Sequence, residues 1–142
     1  LRRFGARIGR NVILKPKVHV KYPWRLSVGD NSWLGERCWV DNFVHVAIGA
    51  NVCISQGAYL CTGNHDWSDP AMTRFVEPVT VEAGAWVGAF ARIAPGVTVG
   101  ENAVVTLGSV LLENAEAYGI YSGNPAVRVG ERKLRAAEAS DA

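Results

Sequence analysis

The feature of this sequence that most constrains its fold is an aliphatic residue at every sixth position. A period of six matches neither the 3.6-residue turn of a helix nor the two-residue alternation of a strand. It is typical of a solenoid in which three hexads make one coil and each coil contacts only its neighbours. The fifteen positions are Ile8, Leu14 and Val20, then Val28, Leu34 and Val40, then Ile48, Ile54 and Leu60, then Val81, Val87 and Ile93, then Val99, Val105 and Leu111.

A second regularity places small or β-branched residues four positions after the aliphatic ones, and Gly often directly after them. The aliphatic residue would point into a triangular core, the small one would fit where two faces meet, and Gly or Asn would form the corner. Residues 8–115 are therefore predicted to form an all-β, parallel β-helix of about five coils. These coils should begin near residues 8, 28, 48, 81 and 99.

Two segments depart from the repeat. Residues 61–80 exceed the spacing and should form a loop that leaves the prism, and long loops on compact scaffolds usually carry function. In the C-terminal segment 116–142, Tyr118 to Gly130 is predicted to be coil. Glu131 to Ala139 is predicted to be a short helix capping the solenoid, because it is rich in Lys, Arg, Ala and Glu.

The composition excludes several classes of protein. A net charge of +2 is too balanced to indicate nucleic-acid binding. The chain has neither a run of 18 apolar residues nor a signal-peptide pattern, so no membrane span is expected. Three cysteines without metal-site spacing indicate reduced thiols and a cytoplasmic protein. The chain begins at Leu1 and not at Met, so the possibility of a preceding segment that associates with a membrane stays open.

Four stretches narrow the family, namely residues 21–36, 54–70, 84–105 and SGNPA at 122–126. Together they resemble the hexapeptide-repeat acetyltransferases, particularly those of exopolysaccharide synthesis of the colanic-acid type. The resemblance implies a left-handed β-helix, acetyl-CoA as co-substrate and a homotrimer with active sites between subunits. It also implies O-acetylation of a sugar or polysaccharide precursor.

The resemblance makes His65, in Thr62-Gly63-Asn64-His65-Asp66, the catalytic residue. A neutral imidazole, with a reference pKa of about 6.5, is suited to take the proton of an alcohol. His65 would act as general base and return the proton to the CoA thiolate, without an acyl-enzyme. Asp66 and Asp69 either orient His65 or are solvated loop carboxylates, and the second interpretation is preferred.

Other site residues follow from the same resemblance. Asn42 matches a substrate-binding Asn, with Asp41 as a rival one residue away and a plain corner turn as the alternative. Trp86 would line the pantetheine and acceptor channel, and the backbone N–H groups of Ala89 and Leu107 would bind the cofactor. His45 stands seventeen residues after its coil start, as His65 does, which suggests a substrate contact on the same edge or simply a surface His.

For the CoA phosphates, the local cationic cluster comprises Arg128, Arg132 and Lys133, with Arg135 nearby. A solvated basic helix is the alternative interpretation. Glu113 and Val127 stand where the family commonly has Lys or Arg, so the resemblance does not establish the affinity for CoA.

Three other functions stay open. The first is a zinc enzyme of the γ-carbonic-anhydrase kind, although the three His lack the expected pairing and no metal is expected. The second is a non-catalytic scaffold with the same solenoid. The third is N-acetylation of an amino sugar in place of O-acetylation.

Overall fold

The computed structural model describes residues 1–136, and its regular structure consists of short strands and two 3₁₀ helices, Arg2–Phe4 and Pro23–Arg25. Most strands stack into three sheets that form the sides of a prism. The first sheet comprises β1 (Arg7–Ile8), β4 (Leu26–Val28), β7 (Val46–Ile48), β12 (Val79–Val81) and β15 (Thr98–Val99). The second comprises β2 (Ile13–Leu14), β5 (Trp33–Leu34), β8 (Cys53–Ile54), β13 (Trp86–Val87), β16 (Val104–Val105), β18 (Gly119–Gly123) and β19 (Ala126–Glu131). The third comprises β3 (His19–Val20), β6 (Trp39–Asp41), β9 (Tyr59–Cys61), β14 (Arg92–Ile93) and β17 (Val110–Leu111).

The strands pair in parallel from coil to coil, and the pairing follows the predicted repeat. In the first sheet Ile8, Val28, Ile48, Val81 and Val99 are successive register partners. The other two aliphatic series stack in the same way in the second and third sheets. The prediction of a β-helix with about five coils, and of where the coils begin, is confirmed.

The core is a column of aliphatic side chains closed by small residues. Every aliphatic position of the repeat from the second coil onward is buried. Small side chains such as Ala58, Ala85, Ala91 and Ala103 are buried with them and let adjacent faces converge. At the open first coil the same positions are less covered: Ile8 and Val20 are half-buried, and Leu14 is 40% exposed.

The corner between the first and second sheets shows why Asn and Gly recur there. Asn11, Asn31 and Asn51 all have positive φ angles, and their side-chain amides bond to one another along the stack. Asn tolerates this left-handed backbone better than most residues. A Cβ added at Gly29 would lie 2.5 Å from the Ala50 backbone nitrogen of the next coil, so only Gly allows this spacing.

The extra residues after the third coil form a β-hairpin. Its strands, β10 (Gly63–His65) and β11 (Arg74–Val76), pair antiparallel outside the three sheets. The solenoid resumes across this insertion, because Ile48 pairs directly with Val81. The hairpin emerges between the third and first sheets, at what we call the hairpin corner.

The C-terminal prediction was wrong in the residues that the structure describes. The supposed coil contains β18, which pairs with β16, and β19, which folds back on β18 antiparallel. Glu131 ends β19, residues 132–136 have no helical structure, and 137–139 lie outside the described residues. Helix propensity is a weak predictor that tertiary context overrides, and here a sheet edge offers unpaired backbone groups that a further strand satisfies. Within residues 1–136, no helix has the length and hydropathy needed to cross a bilayer.

Replacing Ile54 by Ala should lower the free energy of unfolding by about 2–5 kcal/mol, because a fully enclosed side chain would leave a cavity. Leu14→Ala, in the same column at the open end, should cost less than about 1.5 kcal/mol. Urea unfolding followed by circular dichroism measures both. Equal losses would contradict a core that is packed inside and open at the first coil.

Candidate active site

His65 ends the first strand of the hairpin, and one hydrogen bond fixes the state of its ring. Its Nδ1 lies 2.6 Å from the backbone carbonyl oxygen of Met72. A carbonyl oxygen only accepts, so Nδ1 must carry a proton and donate it. In the neutral ring Nε2 then holds the lone pair, and it has no hydrogen-bond partner within residues 1–136. Nε2, the nitrogen that a general base needs, is therefore free.

The two aspartates of the hairpin shape its turn and make no hydrogen bond to the imidazole. Asp69 accepts from the Thr73 hydroxyl and from the Ala71 N–H, and its carbonyl accepts from the Met72 N–H. Asp66 accepts from the hydroxyl and N–H of Ser68. These hydrogen bonds, led by the hydroxyl in each case, hold the pKa of both carboxyls below the ordinary range.

The turn positions the Met72 carbonyl, and this contact was missed in the sequence analysis. Met72 has a φ of 52°, in the left-handed region, and its N–H is held by Asp69 at 2.8 Å. A backbone carbonyl has no side-chain signature. The Asp-x-x-Met turn after His65 was therefore the only signal that could have indicated it.

The base of the hairpin is attached to the second coil. The Thr62 hydroxyl donates to the Asp41 carbonyl at 2.9 Å, and Gly63 packs against the Phe43 ring. Farther out, a shallow depression of about 330 Å³ is lined by Asn64, His65, Asp66, Trp67 and Phe75. Trp67 is 84% exposed. The imidazole thus stands beside an open apolar surface.

Asn42, predicted to be either a substrate contact or a corner residue, lies at a corner with its side chain bonded to the backbone. Its side chain is fully buried. Its Oδ1 accepts from the Tyr22 N–H at 2.9 Å, and its Nδ2 donates to the carbonyls of Tyr22 and Arg25 at 2.7 and 3.1 Å. Every polar side-chain atom is committed to the 3₁₀ turn that precedes β4, so none is left for a substrate.

Asp41 is nearly buried on the outer side of the third sheet, next to the hairpin base. Its Oδ2 accepts from the Tyr59 hydroxyl at 2.8 Å. Its Oδ1 lies 3.2 Å from Lys21 Nζ, within ion-pair distance but without hydrogen-bond geometry. Burial, together with contacts to Cys61 and Asp41, raises the pKa of Tyr59 well above its usual range. The unbonded Oδ1 is buried, and the role of Asp41 as a substrate contact stays a prediction.

His45 is near the hairpin corner but its ring is engaged elsewhere. Its Nε2 lies 2.9 Å from the Ser27 hydroxyl, on the outer side of the first sheet. Burial first, and then the positive charge of Arg7, lower the pKa of this imidazole. No hydrogen bond within residues 1–136 links it to His65, so its substrate contact stays a prediction.

Three residues predicted to bind the cofactor share one cavity. Trp86, Ala89 and Leu107 line a space of about 280 Å³ at the corner between the second and third sheets, which we call the cavity corner. Trp86 is 46% exposed, and its Nε1 donates to the Ser55 hydroxyl at 2.9 Å. The backbone N–H groups of Ala89 and Leu107 have no partner within residues 1–136, so they are free to bind a carbonyl oxygen.

The two halves of the site lie at different corners of the prism. His65 follows β9 of the third sheet and precedes β12 of the first. Ala89 and Leu107 follow strands of the second sheet and precede strands of the third. Within a single chain the imidazole and the cavity therefore do not share one cleft.

The predicted phosphate cluster was not brought to the cavity. Arg128 pairs with Glu116, and Arg132 donates to the carbonyls of Gly84 and Asn102. Gly84 and Asn102 belong to the corner between the first and second sheets, opposite the cavity along the second sheet. Because β19 runs back toward that corner, its last residues and Lys133 are carried away from Trp86.

No group of three or more His, Cys, Asp or Glu side chains able to hold a metal ion occurs within residues 1–136.

Comparison with known proteins gives a consistent assignment. The model of the hexapeptide repeat of succinyl-transferase matches residues 25–61 and 78–113. The Escherichia coli K12 protein WcaF, named as an acetyltransferase of colanic acid biosynthesis, is 39% identical over 93% of this chain and 72% of its own length. The galactoside O-acetyltransferase of the same strain is 26% identical over 84% of this chain and 61% of its own length.

Among solved structures, a hexapeptide-repeat acetyltransferase from Vibrio cholerae superposes with a TM-score of 0.88 at 23% identity. The superposition covers 94% of this chain and 77% of that one. The same enzyme has also been solved with acetyl-CoA bound. The fold is thus that of the left-handed parallel β-helix proteins. The chain belongs to the hexapeptide-repeat acetyltransferase family.

Asn42→Ala should lower the free energy of unfolding by about 1–3 kcal/mol, because it leaves partly buried backbone groups of Tyr22 and Arg25 without their hydrogen-bond partner. Acetyl transfer per folded molecule should be retained. Urea unfolding and an assay of CoA release measure the two effects. Unchanged stability combined with lost transfer would instead support a substrate contact by Asn42.

Proposed function

We propose that this chain transfers an acetyl group from acetyl-CoA to a hydroxyl of a sugar or polysaccharide precursor, with His65 as general base. The observation that carries the proposal is the Nδ1–H bond to the Met72 carbonyl, which leaves Nε2 free and aimed away from the turn. The relative named for colanic acid biosynthesis and the galactoside O-acetyltransferase support a saccharide acceptor.

The proposed reaction is a direct transfer. His65 Nε2 takes the proton of the hydroxyl as its oxygen attacks the thioester carbonyl. The free N–H groups of Ala89 and Leu107 bind carbonyl oxygens of the acyl donor in the cavity, and such donors stabilise developing negative charge. As the C–S bond breaks, the imidazolium returns the proton to the sulfur. Trp86 supplies an apolar wall for the pantetheine arm.

The acting species in this proposal is a homotrimer. The imidazole and the cavity occupy different corners of one prism, so the hairpin corner of one copy must meet the cavity corner of its neighbour. A closed ring of three heterologous contacts makes three equivalent sites. The exposed apolar side chains near the hairpin, Trp67 and Met72, are suited to such a contact.

His65→Ala should reduce acetyl transfer by about 10²–10⁴-fold, because no other group takes the proton, and leave folding intact because the side chain is exposed. CoA release with acetyl-CoA and a panel of methyl glycosides and nucleotide sugars measures it. His19→Ala, in the first coil, is the matched control and should retain activity. Full activity of the His65 variant would refute the base.

The composite site can be tested by co-expressing two variants that each lack one half of it. His65→Ala and Trp86→Ala subunits should each be impaired alone, and their co-expressed mixture should recover about a quarter of the sites, since random assembly places both intact residues in one interface that often. Differently tagged subunits allow purification of the mixed trimers for the CoA-release assay, and in that fraction the expected recovery is about a third, because each mixed ring holds one intact site among three. No recovery would indicate that both residues act within one chain.

A further inference from the structure

Three cationic side chains converge on one residue of the hairpin corner. Lys21 Nζ lies 3.8 Å from the centroid of the Phe43 ring, and the Arg74 guanidinium carbon lies 4.6 Å from it. Arg25 Nη1 contacts the carbonyl oxygen of Phe43. The Phe43 ring also packs on Gly63, at the start of the strand that ends in His65.

Arg74 stands directly opposite His65. The two are register partners in the antiparallel pair of β10 and β11. Directly opposed residues are about 4.5–5.5 Å apart at their Cα atoms and project from the same face. The guanidinium is therefore close enough to the imidazole for one sugar ring to contact both groups.

The positive charge of this group is only partly balanced. Lys21 pairs with Asp41, but no carboxylate within residues 1–136 lies within ion-pair distance of Arg25 or Arg74. The nearby Asp66 and Asp69 are occupied by the hydrogen bonds of the turn. Holding like charges close together is unfavourable unless an anion shares the site, and such a group raises the local concentration of anionic ligands.

We propose that Arg74, with Lys21 and Arg25 behind it, binds an anionic group of the acceptor, so that the preferred substrates are sugars bearing a phosphate or a carboxylate. A guanidinium can bind either group through two parallel hydrogen bonds. The hydroxyl to be acetylated would then lie at His65 Nε2. This inference rests on the proposed transfer reaction.

The first test measures kinetics with four acceptors: glucose 1-phosphate, UDP-glucose, methyl glucuronoside and neutral methyl glucoside. In the wild type, transfer to anionic acceptors should exceed transfer to methyl glucoside and fall as salt rises. Arg74→Met should raise KM for the preferred anionic acceptor by about 10- to 100-fold, with KM for acetyl-CoA unchanged. Arg74→Lys should restore part of the loss. The pattern among the phosphate and carboxylate probes identifies the source of the charge.

Lys15→Met is the matched control, because Lys15 also lies over an aromatic ring, that of Trp33 in the second sheet, at 4.7 Å. It should leave every KM unchanged. An equal effect of Arg74→Met on neutral and anionic acceptors would assign Arg74 to packing on Phe43. A change confined to KM for acetyl-CoA would assign it to the cofactor. Either outcome overturns the proposal.

The second test does not depend on turnover. His65→Ala protein should bind glucose 1-phosphate, UDP-glucose or methyl glucuronoside saturably by calorimetry, and the double variant with Arg74→Met should not. Absence of saturable binding by all three probes would overturn the anionic acceptor. Binding retained by a His65 variant that also retains full transfer would instead defeat the general base and leave the Arg74 site standing.

Discussion

The structure depends on the vertical registration of aliphatic side chains from one coil to the next. Each coil alone would expose an apolar face, and only stacking removes that face from water. The column Leu34, Ile54, Val87 and Val105 is continuous and buried. Because the strands from β1 to β17 are two or three residues long, this column and the parallel hydrogen bonds between coils are the main interactions that hold the sides together.

Registration also explains how a hairpin can be inserted without disturbing the prism. Ile48 and Val81 pair as neighbours, although the third coil and the whole hairpin separate them in sequence. A corner can accept added residues because the chain there lies outside the core, so an insertion projects away from the prism. The hairpin thus carries His65 on a short turn held by hydrogen bonds. The solenoid anchors the start of the hairpin through contacts at Thr62 and Phe43.

The repeat could be predicted from sequence because each of the three sides of a coil has the same packing requirement. One residue type therefore recurs at one spacing. The candidates Trp86, Ala89 and Leu107 came from the resemblance to the family; the structure places all three around one cavity, and their cofactor roles stay a prediction. The C-terminal strand was missed because pairing with β18 depends on an available sheet edge, which local composition does not reveal. The sequence left the role of Asn42 open because an Asn at a corner looks the same whether its amide faces a substrate or the backbone.

The division of the site between two corners has a consequence for specificity. The cavity corner presents Trp86 and the free backbone N–H groups of Ala89 and Leu107 at positions that the repeat creates, and in the proposed reaction it is the donor site. The hairpin corner is built from side chains that the repeat does not dictate, among them Phe43 and Arg74. Since the repeat constrains one half and leaves the other free, the proposed reaction assigns acceptor choice to the hairpin. The charge gathered around Phe43 is the strongest such signal within residues 1–136.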